Sequence, residues 1–120
     1  MMFTCFIRYN VEPGKLAEFC EYARAWIALI EKYGGKHHGY FVPGTDADDL
    51  PNPAFSFPGL GTEGPPNVAV ALFSFATVEA YERYRTVVSD DELCKAVTAR
   101  FDETRCFTSY ERTFLVPMFE

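Results

Sequence analysis

Two histidines and four cysteines are all that this 120-residue chain offers to soft-metal or thiol chemistry, and their spacing excludes most of it. No Cys-x-x-Cys occurs, and Cys5, Cys20, Cys94 and Cys106 fall within apolar strand or helix patterns. They form no zinc-ligand spacing with the adjacent pair His37-His38, so they read as reduced thiols of a cytoplasmic protein without a metal. Other signatures are missing too. There is no Gly-x-Ser-x-Gly, no His-Glu-x-x-His and no glycine-rich phosphate loop opening a helix, so serine hydrolysis, zinc proteolysis and nucleotide binding lack support and no motif implies a cofactor. Asp46, Asp48 and Asp49 lack the Gly and Glu of a calcium loop, and Pro51 follows them; an acidic, solvated loop is expected there. Positive charge is scarce, with 11 Lys and Arg against 17 Asp and Glu and a net charge of −6. That balance disfavours nucleic acid and anionic membrane surfaces. No stretch resembles a signal leader or approaches a membrane span.

Aromatic residues, by contrast, are abundant: twelve Phe and seven Tyr in a chain that is 48% hydrophobic. The length predicts one domain over 1–120 with a single core. The aromatic content exceeds what one small sheet-and-helix layer consumes, which points to a partner chain.

Alternation over residues 3–10 predicts a first strand, with Phe3, Cys5, Ile7 and Tyr9 on one face and Thr4, Phe6 and Arg8 on the other. Pro13 is expected near the first position of a helix through Leu16, Phe19, Cys20, Ala23, Ile27 and Ile30, closed by Gly34-Gly35. A second strand follows over 36–42, where alternation puts His38, Tyr40 and Val42 on one side and His37 and Phe41 on the other. Five prolines and four glycines then mark residues 44–67 as an inserted loop. Val68–Phe75, apolar throughout, predicts a central strand. Thr77 caps a helix through Tyr81 and Tyr84, and Ser89-Asp90-Asp91-Glu92 starts another through Leu93, Val97 and Phe101, one broken helix in all. A last strand is expected over 106–116.

The order is β-α-β-β-α-β, a ferredoxin-like α+β fold with a four-stranded antiparallel sheet and helices on one face. Nothing in the chain is left to cover the other face, although it too carries large apolar residues. A second copy of the same face is the economical cover, giving a homodimer through the sheet, a dimeric α/β barrel.

The cluster that could carry chemistry is Arg8, His38, Tyr40, Tyr110 and Arg112, joined by Trp26, Tyr81 and Tyr84 from the helices. His38 is the candidate proton acceptor, Tyr40 and Tyr110 would orient a phenolic or carbonyl ligand, and Arg8 or Arg112 would balance its charge. Structural roles compete at each position: tyrosines are common in sheet cores, Arg8 has Glu111 as a cross-strand partner, and a strand histidine can sit satisfied in an interface.

Arg8-Tyr9 with Val11-Glu12-Pro13-Gly14-Lys15, then Gly34-Gly35-Lys36-His37-His38-Gly39-Tyr40-Phe41, Ala71-Leu72-Phe73-Ser74-Phe75, Tyr81-Glu82-Arg83-Tyr84-Arg85 and Ser109-Tyr110-Glu111-Arg112-Thr113-Phe114-Leu115 together resemble the NIPSNAP family. The resemblance implies a dimeric α/β barrel related to cofactor-independent monooxygenases and haem-degrading enzymes, with a pocket between sheet and helices near His38, Tyr40, Trp26 and Tyr81. The insertion at 44–67 departs from the family pattern, in which a short connection is usual. Two readings follow: a barrel that binds a small organic molecule and resembles a cofactor-independent oxygenase, or a non-catalytic dimerisation and protein-contact module, which predicts a filled interior. A minor third is haem binding with His38 as axial ligand.

Overall fold

The computed structural model describes residues 2–44 and 57–118. Asp46, Asp48 and Asp49, with the rest of residues 45–56 of the insertion, lie outside the described residues. The elements are β1 (Phe3–Val11), α1 (Leu16–Lys32), β2 (Lys36–Phe41), β3 (Val68–Phe75), α2 (Val78–Val87), α3 (Glu92–Thr104) and β4 (Phe107–Leu115), with a 3-10 turn over Val88–Asp90 between α2 and α3. The strands form one antiparallel sheet in the order β2-β3-β1-β4. This is the ferredoxin-like order, and the second helix is broken where expected.

Local chemistry accounts for the boundaries. Thr77 Oγ1 accepts from the Ala80 amide at 3.0 Å and opens α2, while an Asp91 carboxylate oxygen accepts from the Leu93 amide at 2.8 Å and opens α3. Asp91 also receives Lys32 Nζ at 2.6 Å and Tyr33 Oη at 2.5 Å, so one buried carboxylate ties the end of α1 to the start of α3. The first helix starts later than expected: Gly14 adopts φ +84°, which closes a turn after Pro13 and delays the helix to Leu16. It ends at Lys32, and Gly34 at φ +96° reverses the chain. Gly35 is required for another reason, since a Cβ there would lie 2.7 Å from Ile30 Cγ2 and 2.8 Å from Phe75 Cζ.

Phe3, Cys5, Ile7, Tyr9 and Val11 of β1 and Ala69, Ala71, Phe73 and Phe75 of β3 point towards the helices and meet Phe19, Ala23, Leu29 and Ile30 of α1. Two irregularities break strict alternation. In β2, His37 opposes Phe73 and Gly39 opposes Leu72, so His38 is the extra residue of a β-bulge. In β4, Phe107 opposes Val11 and Ser109 opposes Asn10, so Thr108 is skipped and Phe107 joins Tyr110 on the helix side. The expectation that His38 shares a face with Tyr40 is thereby corrected. A bulge shifts everything before it by one residue, and it is His37 that shares the inner face with Tyr40.

Candidate functional site

A partly enclosed cavity of about 160 Å³ lies between the sheet and the helices. Ile7, Tyr9, Tyr40, Phe73, Tyr110 and Arg112 line it from the strands, and Tyr22, Trp26, Ile30, Tyr81, Tyr84 and Arg85 from the helices. Helical spacing explains the second set. Tyr22 and Trp26 are four residues apart on α1, while Tyr81, Tyr84 and Arg85 stand at i, i+3 and i+4 on α2, so each group shares one face.

Aromatic edges meet aromatic faces around this space. Tyr9 packs edge-on against Phe19 at 5.1 Å and Phe107 at 4.9 Å, and Tyr81 packs edge-on against Phe3 at 5.3 Å and Phe75 at 5.5 Å. These are favourable separations for ring pairs. Burial pushes the phenols of Tyr9, Tyr22, Tyr40 and Tyr84 far above their ordinary range and raises that of Tyr81. At neutral pH these are neutral hydrogen-bonding groups, and none serves as a base.

Positive charge enters from one side. Arg112 Nη1 donates to Tyr81 Oη at 3.1 Å, and its guanidinium lies 5.1 Å from the Phe114 ring centroid. Arg85 makes no side-chain hydrogen bond among the described residues, and neither Arg85 nor Arg112 has a carboxylate partner there. The two charges act inside the domain: burial pushes the Cys5 thiol up to about 11, against the pull of Arg112 and Arg85, and the same two guanidiniums oppose the rise at Tyr81.

The two histidines occupy different environments. His37 stacks on Tyr40 with centroids 4.9 Å apart, and its Nδ1 accepts from the Gly39 amide at 2.9 Å. That bond assigns the proton to Nε2, which is buried without a partner among the described residues. Burial pushes His37 from 6.5 down to about 4, partly offset by Glu31, whose Oε2 accepts from the His37 amide at 2.6 Å. His38 lies on the opposite face. Its Nε2 is 2.7 Å from Ser74 Oγ, which is in turn 2.7 Å from Thr4 Oγ1.

Of the residues singled out from sequence, Trp26, Tyr40, Tyr81, Tyr84, Tyr110 and Arg112 line the cavity. His38 and Arg8 do not. Arg8 sits on the outer face and pairs with Glu111 at 2.9 Å, the cross-strand partner that its structural reading named. The haem reading loses its ligand in this cavity, because His38 is on the other side of the sheet. Tyr9, Tyr22 and Arg85 in the lining, and His37 behind Tyr40, were not assigned to the site from sequence. Strand parity with Ile7 could have found Tyr9, and the four-residue step from Tyr81 could have found Arg85. Among the described residues, no group of three or more His, Cys, Asp or Glu is placed to hold a metal ion, and no helix is long and apolar enough to cross a membrane.

The NIPSNAP family model matches residues 4–45, so the resemblance seen in the sequence is borne out across β1, α1 and β2. Among solved structures, a NIPSNAP family protein from Agrobacterium tumefaciens superposes with a TM-score of 0.70 at 22% identity, covering 98% of this chain and 86% of that one. An uncharacterised NIPSNAP domain protein from Burkholderia xenovorans gives 0.67 at 18% identity over 96% and 93% of the two chains. A mutant form of SnoaB, a cofactor-independent oxygenase from Streptomyces nogalater, gives 0.54 at 13% identity over 98% and 93%. These likenesses establish the fold. No curated protein matches the chain.

Proposed function

We propose that this chain, with a NIPSNAP match over its first third and the fold of solved NIPSNAP proteins throughout, forms a homodimeric barrel that binds a small organic molecule between the sheet and helices of each subunit. The observation that carries the reading is the cavity itself. A module built only for protein contact has no use for a space walled by six tyrosines, a tryptophan and two guanidiniums. Polar groups converging on a mainly aromatic concavity are the usual form of a small-molecule site.

The dimer rests on the other face of the sheet. Phe6, Val70 and Leu72 are only half-buried there, and Phe41 and Leu115 are 59% and 43% exposed. No described element covers them. A second copy of this face would bury the row and enclose the His38–Ser74–Thr4 chain in the seam, leaving the cavity on the helix side free for ligand.

Cavity filling tests the binding reading. Ile7→Phe places a ring into the space from the centre of the sheet. Small single-ring compounds are expected to raise the thermal midpoint of the wild type and to lose that effect in the variant, while its own midpoint stays within a few degrees. Equal stabilisation of both proteins would refute binding in this cavity. An oxygenase reading is favoured by the fold shared with SnoaB. The raised tyrosines supply no base, so such chemistry would depend on the substrate's own acidity, and oxygen uptake on adding a readily ionised phenol is its test.

A further inference from the structure

We infer that the cavity takes a single-ring aromatic carboxylate, with its ring between the sheet and helix aromatics and its carboxylate on Arg85 and Arg112. The inference rests on the binding reading above and deepens it by naming the ligand class.

Size comes first. A cavity of about 160 Å³ is close to the roughly 150 Å³ that accommodates benzene in a packed protein interior, so one ring fits within its walls. The walls supply edges and faces for such a ring: Trp26 from α1, Tyr40 and Phe73 from the sheet, and Tyr81 and Tyr84 from α2.

Charge comes second. Arg85 and Arg112 reach the same cavity from different elements, and no described carboxylate neutralises either. Among the described residues Arg8 pairs with Glu111, Arg100 with Glu21 and Glu103, and Arg105 with Asp102, while Arg24 and Arg83, like Arg85 and Arg112, have no carboxylate partner. What sets Arg85 and Arg112 apart in a chain of net charge −6 is their place: both guanidiniums line one aromatic cavity, with no carboxylate partner among the described residues. Planar guanidinium forks match a carboxylate, and Arg112 is already oriented by its bond to Tyr81 Oη at 3.1 Å. Neutral phenols beside them donate hydrogen bonds to the same anion without repelling it.

The single tryptophan lines the cavity, so its fluorescence reports directly on occupancy. Benzoate, benzamide and acetate are titrated against the wild-type protein, with thermal shift as the second readout. Benzoate is expected to bind at least about tenfold more tightly than either comparison, the order of effect of one charge-assisted contact. Arg85→Gln and Arg112→Gln should each weaken benzoate by about tenfold with little change for benzamide, and Arg85→Lys should recover part of the loss. Benzamide binding as well as benzoate would overturn the inference and leave the cavity reading standing. Acetate matching benzoate would overturn the ring, and benzoate binding unchanged in both glutamine variants would overturn the arginines. Failure of both ring compounds to bind would overturn this inference and the cavity reading together.

Discussion

His37 makes the stability of this domain depend on pH in a defined window. Unfolded, its imidazole titrates near 6.5; folded, burial pushes it down to about 4, because charging the ring means charging it between Tyr40 and Phe73. Between these values the unfolded chain binds the extra proton and the folded chain does not, so stability falls as pH drops below 6.5 and stops falling on this account near 4. At about 1.36 kcal/mol per pH unit the whole displacement would be worth about 3.4 kcal/mol. His37 is only half-buried and Glu31 lies beside it, so solvent screening leaves roughly half, about 1–1.5 kcal/mol between pH 6.5 and 4.5. Against a total of about 5–15 kcal/mol for a domain, that is measurable by urea unfolding at fixed protein concentration. The His37→Gln variant should be flatter than the wild type across this window by about that amount, whatever its absolute stability. An identical slope would refute the reasoning, as would a ring-proton NMR titration placing His37 near its ordinary value.

Three further outcomes are expected. Leu72→Glu, at the middle of the outer face, should convert the proposed homodimer to a folded monomer by sedimentation with unchanged far-ultraviolet circular dichroism; an unaltered dimer mass would place the interface elsewhere. Gly39→Ala meets no steric neighbour but imposes a side chain at φ +114°, and should cost about 1–2 kcal/mol in urea unfolding while slackening the stacking of His37 on Tyr40. Asp91→Asn should lower the thermal midpoint at pH 7: Lys32 and Tyr33 hold the Asp91 carboxyl well below the usual carboxylate range, so its contribution is present above about pH 4 and is lost as pH falls through the acid range. The gap between variant and wild type should therefore close in strong acid.

Much of the fold was legible because its signals are local and redundant. Val68–Phe75 is apolar on both faces and forms an inner strand over those residues; Thr77 offers a side-chain acceptor where the amides of a helix start need one, whereas the helix expected from the Ser89-Asp90-Asp91-Glu92 box is capped by Asp91 and not by Ser89. The face count that predicted an outer sheet face left uncovered by the described elements needed only the number of elements. Six of the eight candidate site residues were also reachable, since Trp26, Tyr40, Tyr81, Tyr84, Tyr110 and Arg112 are large amphipathic side chains, although the face of β2 was misread at His38. The start of α1 was not, because Pro13 at a helix start and Pro13 in a preceding turn look alike until Gly14 takes a positive φ.

His38 failed for a physical reason that bears on the site. Alternation is reliable only while every residue of a strand has a partner, and a bulge suspends it for one residue. Gly39 was the available signal, since glycine inside a strand often marks such a site. The bulge also does chemical work: it turns the Gly39 amide towards His37 Nδ1, which sets the tautomer and keeps that imidazole neutral against the cavity wall. It turns His38 outward onto Ser74 and Thr4, where a second sheet is expected. Adjacent histidines are thus divided between two environments by one unpaired residue, His37 against the cavity wall and His38 on the outer face of the sheet.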